Sequence, residues 1–171
     1  MRYLFLILFI IIGSVLGIAG DKTELQWRSF DAGLAEAKAT HKKILLDVYT
    51  DWCGWCGWCK KLDSDVYSNK KVATYLVQAY IPIKLNAESA KKLSYKDKAH
   101  SETELAQAFG VRSYPTIIFL DSNGEPINSL GGYVDADRFL PIVQYIGDDH
   151  YKNMTWDEYK SKNGLGKEKS N

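Results

Sequence analysis

The chain has 171 residues, 46% hydrophobic and 25% charged, with 5 Trp, 11 Tyr and 6 Phe, enough for one well-packed core and too few for two. Lys plus Arg number 22 against 21 Asp plus Glu. That near-neutral balance argues against nucleic acid or an anionic membrane surface as a partner, and Lys91-Lys92 and the tail Lys167-Glu168-Lys169 read as solvated surface.

The N-terminus places one positive charge, Arg2, before the apolar run Tyr3 to Ile12, and small residues gather around Gly17 and Ala19. This is the order of a secretory signal, with cleavage expected after Ala19; an uncleaved membrane anchor is the alternative reading. The expected organisation is a signal over residues 1–19 and a single domain over 20–171, exported to a periplasmic or extracellular space. Within that domain the core is expected over about 44–146 and a C-terminal extension over 147–171.

Along the mature chain, Leu25-Gln26-Trp27 reads as a short strand, and Ser29 or Asp31 caps a helix through Leu34, Ala35, Ala37 and Lys38. The β-prone run Ile44 to Tyr49 reads as a buried strand. Ser68 caps an apolar helical pattern at Val72, Tyr75, Leu76 and Ala79, and Tyr80 to Leu85 is a second core strand. From Asn86 to His100 the chain turns polar and lysine-rich and reads as an insertion or loop. Ser101 and Glu104 form a capping box for the helix Leu105 to Phe109, which Gly110 ends. Thr116 to Leu120 reads as a strand, Ser122-Asn123-Gly124 as a turn, Ile127 to Leu130 as a hairpin partner, and Val134 to Ile146 as the last core helix. The order βαβαβαββα implies an α/β fold with a central mixed β-sheet flanked by helices.

All three cysteines fall in the stretch between Ile44–Tyr49 and the next helix, Asp51-Trp52-Cys53-Gly54-Trp55-Cys56-Gly57-Trp58-Cys59-Lys60, which writes C-G-W-C twice with Cys56 shared. In an exported chain disulfides persist, and an odd thiol points to exchange chemistry. A strand-to-helix junction aims free backbone N–H groups and the positive end of a helix dipole at the first cysteine, favouring its thiolate. Asp47 sits inside an otherwise apolar strand, where desolvation raises its pKa and lets it exchange a proton with a resolving thiol. If the stretch from Cys53 is helical, Cα atoms of cysteines three apart lie about 5 Å from each other and those of Cys53 and Cys59 about 10 Å, beyond disulfide reach. Cys56 is then the shared partner of both neighbours, with Cys53 the attacking nucleophile and Cys59 a second resolving or relay thiol.

Taken together, ILLDVYTDWCGWC, IPIKLN, FGVRSYPTIIFLDSNGE and the glycine pair 131–132 resemble the thioredoxin-like family, closest to exported domains that reduce or rearrange disulfides. The resemblance implies a thioredoxin-like fold and a thiol:disulfide oxidoreductase acting on protein disulfides, reductase or isomerase rather than oxidant, with no bound cofactor. It implies a buried acid six residues before the first active-site cysteine, here Asp47, and an accompanying lysine, here Lys84. It also implies a cis bond at Tyr114-Pro115, beside which an extended substrate strand docks, with Trp52 on the docking surface and Trp55 and Trp58 either there or in the core. The expected partners are protein disulfide substrates and a thiol/disulfide exchange partner, with no nucleic acid and no membrane beyond an uncleaved anchor.

The departure is the extra Gly-Trp-Cys. Cys53 keeps the spacing to Asp47, whereas Cys59 keeps the spacing to Lys60-Lys61-Leu62, so which pair corresponds to the family's pair stays open. A thiolate metal site is the competing chemistry, but ferredoxin spacing wants a fourth cysteine, and His41, His100 and His150 do not follow at finger spacing. A non-catalytic binding module of the same fold is the other, and it needs neither Asp47 nor three thiols.

Overall fold

The computed structural model describes residues 24–54 and 57–165, the side chains of Cys53 and Gly54 excepted. The expected signal at 1–19, Trp55 and Cys56 lie outside the described residues, as does the Cys53 side chain.

The chain opens with α1, Phe30–Thr40, whose N-cap is Ser29. β1, Lys43–Tyr49, leads into a 3-10 turn over Asp51–Gly54, then α2, Trp58–Lys61, a π-helical segment Leu62–Tyr67, and α3, Lys70–Ala79. β2, Tyr80–Asn86, is followed by β3, Lys92–Tyr95, β4, Lys98–Ser101, and α4, Glu102–Ala108. β5, Thr116–Leu120, β6, Pro126–Gly131, α5, Ala136–Gly147, and α6, Trp156–Lys162, complete the order.

Four strands form one sheet in the order β2-β1-β5-β6, with β1 parallel to β2 and β5 antiparallel to both β1 and β6. The fold is a mixed sheet between helical layers, as the alternation of elements implies. β1 is buried from Ile44 to Val48, so side-chain alternation sends its residues to two cores. Ile44, Leu46 and Val48 meet Phe30, Leu34, Ile81, Ile83 and Leu105 on one face. Leu45 meets Leu62, Val66, Tyr67, Leu76, Phe139 and Val143 on the other. Each fully buried Leu or Ile contributes about 2 kcal/mol, so β1 is secured from both faces. Asp47 shares parity with Leu45, so the sheet turns it toward the π-helical segment.

Three elements differ from the sequence reading. Leu25-Gln26-Trp27 forms no strand: pairing reduces to one bridge between Arg28 and Ile83, because only two backbone bonds, Arg28 N–H to Pro82 at 3.0 Å and Lys84 N–H to Arg28 at 3.3 Å, join the segments. The helix expected to be capped by Ser68 is capped by Asn69, whose Oδ1 accepts from Lys71 and Val72 N–H. The polar stretch 86–100 holds the hairpin β3–β4, which turns at Lys96 and Asp97 with φ of 51° and 60°. Both left-handed positions suit a two-residue turn, and Tyr95 anchors the hairpin by edge contacts to Phe30 and Phe109. The capping box at Ser101 and Glu104 forms as expected, one turn earlier than the helix that the apolar pattern marked.

Beyond α5 the extension packs back on the domain. Thr155 and Glu158 cap α6, and Trp156 and Tyr159 lie against Tyr145 at ring centroid separations of 5.2 Å each.

Candidate active site

The parallel register pairs Asp47 on β1 with Lys84 on β2, which sets the two side chains beside each other on one face. Asp47 is 3% exposed, and its Oδ1 accepts no hydrogen bond from a described residue. Its Oδ2 lies 3.7 Å from Lys84 Nζ. The same ammonium makes closer contacts to Asp63 in the π-helical segment, at 2.7 and 2.8 Å to its two carboxylate oxygens. Lys84 also sits over the rings of Trp27 at 4.9 Å and Tyr49 at 5.4 Å.

Two effects compete at Asp47. Burial penalises its charged form, and Lys84 favours it. Burial wins: the pKa rises from the ordinary 3.8 to about 7, because Lys84 is shared with a nearer carboxylate and the Asp63 charge itself raises Asp47 further. A group that changes charge near neutrality suits proton transfer to and from a thiol.

Asp63 was not anticipated from the sequence. The signal was present, since it stands four residues after Cys59, one helical turn on, where a side chain returns to the same face.

Cys59 is half-buried, disulfide-bonded, and lines a cleft of about 250 Å³ with Tyr49, Thr50, Asp51, Lys60, Asp63 and Lys84. The stretch from Cys53 is not one regular helix. Cys53 lies in the 3-10 turn, and α2 begins only at Trp58, with Gly57 as its N-cap at φ 72° and ψ −13°. Gly57 is left-handed, so one regular helix does not run from Cys53 through to Cys59, and the spacing that sets them about 10 Å apart does not apply. The cysteine in the first turn of the described α-helix is Cys59.

The Tyr114-Pro115 bond is cis, the isomer that the resemblance implies. The Pro115 carbonyl accepts from Gly132 N–H at 2.8 Å, and Tyr133, the next residue, packs its ring on Trp58 at 5.3 Å. Lys61 covers both rings, at 5.7 Å to Trp58 and 5.5 Å to Tyr133. These contacts link the proline loop to the start of α2. Trp52 and Trp58 are 72% and 48% exposed, the two large apolar side chains most open to solvent among the described residues. Trp52 directly precedes Cys53 and Trp58 directly precedes Cys59. The structure thus places Cys59 and Lys84 on one cleft, with buried Asp47 at 3.7 Å from Lys84, and joins Trp58 to the proline loop through Tyr133; Trp52 stands at the 3-10 turn.

Among curated proteins the chain is 28% identical over 109 residues to the thiol:disulfide interchange protein DsbD of Photorhabdus laumondii, spanning 63% of this chain and 17% of that protein. It is 32% identical over 119 residues to the protein disulfide isomerase-like 1-2 of Oryza sativa, spanning 69% of this chain and 20% of that protein. The chain therefore spans about a sixth of the length of the interchange proteins that it matches. Of solved structures, a thioredoxin-fold protein from Helicobacter pylori aligns with a TM-score of 0.59 at 27% identity, over 78% of this chain and 90% of that one. A putative disulphide-isomerase from Bacteroides thetaiotaomicron aligns with a TM-score of 0.56 at 30% identity, over 74% and 94%. Residues 30–147, well over half of the sequence, match the thioredoxin-like domain, and the chain belongs to that family.

Proposed function

We propose that this chain is an exported thiol:disulfide oxidoreductase that reduces or isomerises protein disulfides through its C-x-x-C-x-x-C stretch, without a bound cofactor. The observation that carries the reading is the cleft lined by Cys59, Lys84 and Asp63, with the buried Asp47 at 3.7 Å from the Lys84 ammonium. Names among the relatives, a thiol:disulfide interchange protein and a putative disulphide-isomerase, point to the same chemistry.

The Cys53 thiolate attacks a substrate disulfide; one substrate sulfur leaves as thiolate and the other is held in a mixed disulfide with Cys53. A second cysteine then loses its proton to Asp47 and attacks the Cys53 sulfur. This frees the second substrate thiolate, which takes up a proton, and leaves a disulfide within the stretch. Two electrons have passed from protein thiols to substrate, and an external thiol of an exchange partner restores the reduced site. With no continuous helix through the stretch, Cys56 is assigned as the shared partner on its C-x-x-C spacing to both neighbours, and Cys59 as a second resolving thiol. Substrate chain docks along Tyr114-Pro115 and against the exposed face of Trp52.

Turnover of insulin disulfides in excess dithiothreitol tests this. The protein should accelerate precipitation of the insulin B chain well above dithiothreitol alone, and Cys56→Ser should abolish the gain while accumulating mixed disulfides. Cys59→Ser should keep measurable activity. A wild-type rate no higher than dithiothreitol alone sinks the reading.

A further inference from the structure

The turn that carries Cys53 is held by residues outside the cleft. β2 ends at Asn86, and the residues that follow it fold back over the 3-10 turn Asp51–Gly54. Ala87 N–H donates to the Tyr49 carbonyl at 2.8 Å. Asn86 uses both ends of its amide: Nδ2 donates to Asp51 Oδ2 at 2.8 Å, and Oδ1 accepts from Glu88 N–H at 2.9 Å. Glu88 is thereby aimed at the turn, and its Oε2 accepts from the backbone N–H of Trp52 at 3.2 Å. Behind it the Ser89 carbonyl accepts from Thr103 N–H at 3.2 Å and from Thr103 Oγ1 at 3.1 Å, which ties this segment to α4. Glu88 is therefore fixed from both sides, one residue from the cysteine expected to attack substrate.

We propose that Glu88 is a positioning residue for Cys53: its carboxylate holds the turn through Trp52 N–H, and its charge, joined by that of Asp51, opposes formation of the Cys53 thiolate. The role rests on Cys53 as the attacking cysteine of the proposed function. A strong oxidant owes its potential to a stabilised thiolate in the reduced form. Two carboxylates at the nucleophile's own turn act in the opposite sense and make the site a reductant.

The other charges around the cleft leave this effect standing. Lys84 is shared between Asp47 and Asp63, and Lys61 lies over Trp58 and Tyr133 with Asp65 at 3.9 Å. Lys60 lines the same cleft as Asp51 and offsets part of the carboxylate charge there. In a dielectric between protein surface and water, removing one carboxylate charge held at the thiol's own turn lowers a thiol pKa by about 0.5–1.

The test is the pH dependence of iodoacetamide alkylation in the full chain carrying Cys56→Ser and Cys59→Ser, so that Cys53 is the sole thiol. Glu88→Gln keeps an oxygen for Trp52 N–H and removes the charge; Glu88→Ala removes both. Both should lower the apparent pKa by about 0.5–1, raising alkylation at pH 7 by about 3–10-fold. A Glu88→Gln profile that superimposes on its parent overturns the charge role, whatever Glu88→Ala does. Insulin turnover by the three-cysteine protein is measured alongside. If it is active while the profiles coincide, Glu88 alone is wrongly assigned; if it is inactive, the proposed function itself fails.

Discussion

Replacing Asp47 with Asn should stabilise the protein, and by an amount that grows with pH. A carboxyl raised from 3.8 to about 7 in the fold has its proton held roughly a thousandfold more tightly than in the unfolded chain, a difference of about 4 kcal/mol. The sign follows from proton counting. Below pH 4 both states hold the proton and the group is neutral toward stability. Between pH 4 and 7 the folded state keeps a proton that the unfolded state has lost, so stability falls as pH rises. Above about pH 7 the full cost of a buried carboxylate is present. Asn cannot ionise, so the gain from Asp47→Asn should be small near pH 4 and reach about 3–4 kcal/mol by pH 8.5. Urea unfolding followed by tryptophan fluorescence at pH 5 and pH 8.5, with the disulfide intact in both proteins, reads the difference directly. Any fixed effect of the amide cancels between the two pH values. A stability difference that is the same at both would mean that Asp47 is not a buried acid.

Asp63→Asn removes the carboxylate nearest Lys84, returning the ammonium to Asp47; release of the mixed disulfide should then follow a pKa below about 7, read from its rate against pH. Lys84→Met should move the same profile the other way, since the lysine lowers Asp47. Gly57→Ala meets no described atom within 4 Å of the added Cβ, so its whole cost is the left-handed backbone at φ +72°: about 1–2 kcal/mol, a drop of several degrees in Tm by calorimetry. Edman sequencing of protein recovered after secretion should begin at Gly20; Met1 retained on a membrane-bound product would overturn cleavage of the signal.

The sheet was legible because its signals are local. Ile44 to Tyr49 and Thr116 to Leu120 are runs of β-prone residues buried on both faces, and the structure returns them as β1 and β5 with the second pair of bounds unchanged. Lys84 beside Asp47 was legible only through the resemblance, since no local pattern says which strand neighbours which; the parallel register supplies it. The hairpin β3–β4 escaped because it buries one side chain per turn at most, Leu93 and Tyr95 serving as its contacts, and because its turn uses Lys96-Asp97 in place of the Asn-Gly that marks such turns. Glu88 escaped for a different reason. Its contact spans 36 residues to a backbone N–H, and a main-chain donor leaves no trace in the identity of Trp52.

The cysteine stretch does not run as one helix, because Gly57 is left-handed and caps the start of α2. An added helical turn would carry Cys53 and Cys59 on one continuous helix and keep them apart. A left-handed Gly57 instead caps α2, and both flanks of the stretch keep the spacing that the resemblance assigns to them: six residues from Asp47 to Cys53 on the strand side, and Cys59 running directly into Lys60, Lys61 and buried Leu62 on the helix side. The chemistry divides along the same line. Cys53 belongs to the turn held by Asn86 and Glu88, where two carboxylates work against its thiolate. Cys59 lines the cleft with Lys84, which is shared between Asp63 and an Asp47 that changes charge near neutral pH. In the proposed function the attacking step therefore falls beside Glu88 and Asp51, and the resolving step draws on Asp47 behind Lys84.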